Sequence, residues 1–584
     1  MYTLKGEKAR DRLTTLGGMM ETGPFELDTQ VLGPLPVINA FAERLGLARL
    51  LAAYVPDEDP RVRLAPATAL GVVVRNLVLH REPVYALGQW AAGFDPALLG
   101  LAPDEAVLLN DDRVGRNLAR LFDADRASLL TRMVLDAVDR FNIDVTQLHN
   151  DSTSIKLTGS YAGADGHTRG GKATAKAARG HSKDFRPDLK QLVWILTITA
   201  DGAVPIAYRL ADGNTEDSIT HIATWDHLVE MLGRSDWLYV ADCKLATRAN
   251  MDHIDRGHGR FCSILPASRS EDRQFRDWVV DHDPDWVHAH TRPARRQADP
   301  DDVYSTVEAP WPSAEGYRIV WVHSTTKTDY DAESRRDRIG RGIAALDDLN
   351  QRLASPRTRM RTTAAVEAAA TAALDKAGAT RWVSYTLTEK TEDSYRQEKR
   401  GRPGNNTRYR KHTRTHHRLG FDVDETRVAH DACSDGMFPL IANDPKMSGA
   451  ELLAAYKYQP NLEKRHAQLK GTQLVAPVFL HDPARIEGLL CCHFIAMLLQ
   501  ALIERTIRTA MADRGLTELS LYPEDRGCAA PTAARVLAIF NGLSRHHLRD
   551  AQGNIVQTFQ PELTDLQRQV LDLLQVPVSD YLTD

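Results

Sequence analysis

The sequence predicts an α/β protein: a core of mixed sheet and helices, preceded by an all-α domain and interrupted by a large insertion. Three observations carry this expectation. Apolar residues recur at helical spacing up to about residue 142, and the period then changes to short β-rich runs. From residue 143 the chain reads strand, strand, strand, helix, strand, helix, strand. Far downstream a helical stretch rich in polar landmarks, YKYQPNLEKRHAQLK from Tyr456 to Lys470, follows a clear helix start.

Length and composition bound the reading. A chain of 584 residues exceeds one hydrophobic core, so about two to four domains are expected. With 43% hydrophobic and 26% charged residues it is globular, neither fibrous nor disordered. A net charge of −5 excludes a uniformly basic coat, so any nucleic-acid surface must come from local clustering. Six cysteines without a C-x2-C pair or paired Cys/His spacing argue against a zinc site and for a reducing compartment. Cys491, Cys492 and His493 adjoin within an apolar stretch and read as buried helix residues. MYTLKGEKARDRL has no apolar centre of a leader, and Leu489 to Ile503 is expected to be too short to cross a bilayer. The chain therefore reads as soluble and intracellular, with no membrane partner.

In chain order, residues 1–142 form the helical domain, through PVINAFAERLGLARLLAAY, PATALGVVVRNLVLH, DDRVGRNLARLF and RASLLTRMVLDAVDRF. Residues 143–269 hold the first part of the core. IDVTQLHN reads as a strand ending at Asp151, and the Gly- and Lys-rich stretch after it reads as a loop. QLVWILTIT and AVPIAYRL are strands joined by the turn Ala200-Asp201-Gly202. GNTEDSITHIATWDHLVEMLG is a helix with Asn214 as its expected N-cap. WLYVA is a short strand ending at Asp242, and a helix over LATRANMDHID and the strand RFCSIL complete five strands. That order is the order of a ribonuclease-H-like core.

Residues 270–445 read as an insertion domain, with strands at DVYSTVEA, YRIVWVHST, WVSYTLTEK and DGMFPLIAND and charged helix from about Asp329 to Ala377. Its basic run, Arg396 to Arg418, holds nine Lys/Arg, three His and one acid. It reads either as a solvated loop or as a phosphate contact. Residues 446–515 return to the core: Ser448 and Glu451 form a capping box, and Ala484 to Ala512 is an apolar helix that covers the sheet. Residues 516–584 read as helical, with amphipathic segments at Ala533 to Leu548 and Leu563 to Leu574.

On a continuous helix Tyr456, Gln459, Glu463 and Lys470 fall within an arc of roughly 60°. Pro460 removes one helical hydrogen bond there and is expected to kink or restart the helix. The spacing resembles the Y-x2-R-x3-E-x6-K signature of DDE transposases, the YREK group of bacterial insertion-sequence enzymes, with Gln459 at the usual arginine. The resemblance implies a cytoplasmic bacterial enzyme that cuts DNA and joins the 3′ ends to a target. It implies Asp151, Asp242 and Glu463 as catalytic carboxylates holding two Mg²⁺ (or Mn²⁺) ions. Tyr456, Gln459 and Lys470 would contact DNA phosphates, and the N-terminal helices would grip the element's terminal repeats. The implied partners are DNA and a second copy in the synapse, with no nucleotide cofactor. A metal-dependent nuclease of the same fold, or an inactive DNA-binding derivative, are the alternative readings.

Overall fold

The computed structural model describes residues 25–56, 62–79, 81–294, 296 and 299–582. The N-terminal stretch read above for a leader, and His80 at the end of the third expected helix, lie outside the described residues. The chain is mixed α/β and forms two compact units, Met1–Trp237 with Pro460–Asp584, and Leu238–Gln459.

In the first unit the expected N-terminal helices form, at Leu35–Arg44, Leu47–Tyr54, Pro66–Leu79, Asp111–Asp123 and Arg126–Arg140. Asn110 caps the fourth of these through the Arg113 amide, and Asp111 and Asp112 lie in its first turn, where carboxylates suit the helix dipole. The region is not all-α. Phe25–Val31 is a strand that pairs antiparallel with Ser544–Asp550, which pairs in turn with Ile555–Phe559. The expected helix Ala533 to Leu548 correspondingly stops at Ala538. A pairing across more than five hundred residues leaves no local signal to read.

The centre of this unit is the helix Pro483–Asp513, with Leu35–Arg44, Pro66–Leu79 and Asp111–Asp123 packed on it. At 31 residues it is longer than expected and is apolar enough to cross a membrane, but 94% of its most apolar window is buried inside the protein. Cys491, Cys492 and His493 are buried on it, as read from sequence. Its other polar residues all find partners: Glu487 takes Arg126 and the Ala175 amide, and Glu504 takes Arg465 and the Ala533 amide. Three antiparallel strands complete the unit, with Gln147–Leu157 beside Lys190–Thr199 and Lys190–Thr199 beside Pro205–Ala211.

In the second unit Leu238–Ala241 runs parallel to Arg260–Ile264. Beyond it, antiparallel, come Met437–Ala442, Arg318–Ser324, Asp302–Glu308 and Val287–Arg292. Strands read as part of an insertion thus continue the sheet begun by Leu238–Ala241. The helix Gly449–Lys457 packs its Leu452, Leu453 and Ala455 on this sheet, against Val240, Val320 and Leu440. Ser448 and Glu451 form the expected capping box at its start. The charged helical region becomes two helices, Thr325–Ala354 and Thr363–Ala377. The basic run is not a loop. It forms the tip and return strand of a hairpin in which Val383–Gln397 pairs with Tyr409–Val423. Threonines and tyrosines suit the pleat, and acids on the first strand face the bases of the second.

Candidate active site

Asp151 is not at the end of its strand. It is the fifth residue of Gln147–Leu157 and lies opposite Leu196. The run NDSTS has the composition of a turn, but Thr153 and Ile155 hold it extended against Trp194 and Leu192. The preceding residue anchors this segment, since the Asn150 amide donates to Thr197 Oγ1 at 2.9 Å and to the Leu196 carbonyl at 3.2 Å. The Asp151 carboxylate is 22% exposed and accepts from the Ser152 amide at 2.7 Å.

The Gly/Lys loop delivers a cation to this carboxylate. Ala178 and Gln191 exchange both backbone hydrogen bonds, and the Gly213 amide donates to the Lys176 carbonyl. The backbone approach is so close that a Cβ on Gly213 would lie 2.0 Å from the Gln191 oxygen. Fixed in this way, the loop places Lys183 Nζ 3.2 Å from Asp151 Oδ1 and 3.2 Å from Asp217 Oδ2. The same ammonium donates to Ser152 O at 2.6 Å, and Ser152 Oγ donates to Asp217 Oδ1 at 2.5 Å. Burial acts to lower the Lys183 pKa, but the facing Asp151 and Asp217 carboxylates outweigh it and raise the value. Asp217 therefore serves this cluster, and the helix expected to start at Asn214 starts at His221 after a short 3-10 turn.

The signature stretch is two helices, Gly449–Lys457 and Pro460–Ala467, with the restart at Pro460 that the sequence leads one to expect. The single-face arrangement of Tyr456 with Glu463 and Lys470 is thereby replaced. Pro460–Ala467 is anchored by Arg465, which is 4% exposed. Its guanidinium pairs with Glu504 at 2.8 Å and donates to the Ala203 carbonyl at 2.9 Å. The helix packs on the Asp151 strand, with His466 Nδ1 3.8 Å from Asp151 Oδ2. This is no charged pair at neutral pH, because burial, then Lys183 and Lys470, push the His466 pKa down to about 3. Glu463, one turn earlier, is exposed. Lys470 lies in a π-turn, Gln468–Thr472, and its Nζ is 2.6 Å from Asp184 Oδ1. Neighbouring loop residues, Lys183 and Asp184, thus engage Asp151 and Lys470.

The remaining sequence-derived residues belong to the second unit. Asp242 directly follows Leu238–Ala241, its carboxylate accepting from the Lys244 amide at 3.0 Å and its carbonyl from Ser263 Oγ at 2.7 Å. Tyr456 is half-buried against the apolar cluster under Gly449–Lys457, and Gln459 is 9% exposed.

Sequence reasoning missed Lys183, Asp184 and His466, and saw in Asp217 only a cap. A lysine and an aspartate inside a Gly-rich loop were the available signal, but only the fold shows which carboxylates they meet. Among the described residues, no group of three or more His, Cys, Asp and Glu is arranged to hold a metal ion. The Asp151 and Asp217 carboxylates are hard oxygen donors already facing a shared positive charge, a donor chemistry that fits Mg²⁺ or Mn²⁺.

A family model described as a domain of unknown function (DUF4277) matches residues 27–135, the N-terminal strand and helices. Curated proteins give no match. Among solved structures, the chain is similar to a cryo-EM structure of a piggyBac transposase synaptic complex with hairpin DNA. Identity is 7% and the TM-score 0.32, over 88% of this chain and 81% of that one.

Proposed function

We propose that this chain is a DNA transposase of the DDE type that cuts DNA at the ends of its element and joins the 3′ ends to a target. The observation that supports this best is the packing of the Glu463 helix on the Asp151 strand, His466 lying 3.8 Å from the Asp151 carboxylate. It puts two of the three carboxylates singled out by sequence on adjoining elements. Asp242, assigned from its place after a short buried strand, is the third.

Asp151, Asp242 and Glu463 would hold two Mg²⁺ or Mn²⁺ ions in a ribonuclease-H-like core. When bound, such ions activate the attacking water or 3′-hydroxyl and stabilise the leaving oxygen. The chain's own residues prepare for this. Lys183 keeps the Asp151 carboxylate ionised and oriented until a stronger cation displaces the ammonium. Neutral His466 walls the carboxylate without adding a competing charge. Lys470 is the cation for backbone phosphate, held ready by Asp184, while buried Gln459 is poorly suited to that task. The Glu helix therefore departs from the YREK pattern at Gln459 and in its restart at Pro460. The partners would be the terminal repeats and target DNA, with two copies in the synapse and the bacterial cytoplasm as the setting.

The test is a donor plasmid carrying the element's own ends, incubated with the protein and Mg²⁺. Excision with joining to a second DNA is expected. Asp151→Asn, Asp242→Asn and Glu463→Gln should each abolish cleavage while end binding persists. Cutting without joining would make the chain a nuclease. Near-normal cleavage by any one variant would remove that residue from the set.

A further inference from the structure

The hairpin Val383–Gln397/Tyr409–Val423 is two-faced. In its register Tyr385 faces Phe421 and Leu387 faces Leu419, and alternation puts these on one side. That side packs at its root on Leu346, Leu349, Val366 and Leu374 of the two long helices. The Asn350 side chain fixes the root further, bonding both the amide and the carbonyl of Leu419 at 2.8 and 2.9 Å. The opposite side carries Arg418, Lys390 with His416, Arg414, His412, and Arg396 with Arg410.

The charge is balanced only part of the way out. Lys411 pairs with Asp393 at 2.8 Å, and His416 and His417 lie 3.5 Å from Glu392 and Glu389. Beyond Ser394 the acids stop. Residues 394–410 contain six Lys/Arg and one acid, Glu398, so the tip is strongly positive. Among the described residues, none of Arg396, Lys399, Arg400, Arg402, Arg408 and Arg410 makes an ion pair. Arg396 stands directly opposite Arg410, an arrangement that destabilises an isolated sheet. Beside them Tyr395 and Tyr409 are 64% and 51% exposed.

We propose that this hairpin is a DNA-binding arm that lays its basic tip against the phosphate backbone of a duplex. A polyanion relieves the Arg396–Arg410 repulsion, and two strands at a spacing of about 5 Å form a ribbon that a DNA groove admits. The root, fixed on the helices, holds the arm stiff, so little ordering is needed on binding. The arm deepens the proposed function and rests on it for the identity of the polyanion.

The test uses the full chain with Arg396→Gln, Arg408→Gln and Arg410→Gln combined, and a second variant with Lys at the same three positions. Fluorescence anisotropy on a random-sequence duplex is measured across a salt series. The Gln variant should bind about tenfold or more weakly, and its slope of log K against log salt should fall by about 2 to 3. The Lys variant should keep affinity and slope, which separates charge from folding. Unchanged affinity and slope in the Gln variant would overturn the arm. So would tighter binding of the parent to single-stranded RNA than to duplex DNA. Cleavage of native ends by Asp151→Asn is scored separately: normal cleavage there sinks the catalytic reading and leaves the arm standing.

Discussion

Lys183→Met tests the cluster on the Asp151 strand directly. The change keeps the length of the side chain and removes the charge that faces Asp151 and Asp217, each at 3.2 Å. Lys183 is 30% exposed and both carboxylates 22%, so each pair is worth about 0.5 to 1 kcal/mol, well below a fully buried one. Loss of the 2.6 Å bond to the Ser152 carbonyl adds about 1 kcal/mol, and the uncovered carboxylates then repel each other. A total of about 2 to 3 kcal/mol is expected. It should appear as a lower urea midpoint and as faster hydrogen exchange in the peptide 147–157. Adding Asp217→Asn should restore part of the loss, because the repulsion goes with the charge. Mg²⁺ should protect Lys183→Met more than the parent if these carboxylates accept a cation. A variant with the parent's midpoint and the parent's exchange over 147–157 would refute the reasoning.

Three further outcomes follow from the geometry. Burial holds His221 at about 4 and His466 and His493 at about 3, against an ordinary 6.5. All three stay neutral in the folded chain and gain protons on unfolding. Their stabilisation is therefore complete above pH 6.5 and declines as pH falls toward 3, by up to about 1.4 kcal/mol per pH unit for each. Urea midpoints measured from pH 7 to 4 should fall less steeply for His493→Gln, and an unchanged slope would count against the buried-neutral assignment. In Gly488→Ala the new Cβ would meet the Leu118 carbonyl oxygen at 2.2 Å, where the helices Pro483–Asp513 and Asp111–Asp123 touch. The helices must part, at a cost of about 2 to 3 kcal/mol, and a melting temperature equal to the parent's would contradict that contact. Asp184→Asn should free Lys470 and strengthen DNA binding several-fold, whereas Lys470→Ala should weaken it and lower the salt slope by about 1. Equal affinities for parent and both variants would place Lys470 away from DNA.

The sequence by itself determined what depends on neighbours along the chain. Helix periodicity located the N-terminal helices and Pro483–Asp513. The Ser448 capping box gave the start of Gly449–Lys457, and Pro460 announced the restart that separates Tyr456 from Glu463. Each of these signals lies within one or two helical turns, so local propensity and hydrogen bonding suffice to write it. The tertiary structure decided whatever needs partners distant in sequence. Strand Phe25–Val31 exists because Ser544–Asp550 supplies its hydrogen bonds, and the basic run is a strand because acids across the ladder balance its inner half. Asp151 looked like the end of a strand because NDSTS has turn chemistry, and only pairing with Lys190–Thr199 carries it onward. The meeting of Lys183 with Asp151 and Asp217, and of Asp184 with Lys470, depends on a glycine-rich loop pinned by Gln191 and Gly213. Composition showed that loop to be aperiodic and basic. The charges it delivers are set by long-range Coulomb and backbone contacts, which no local period encodes.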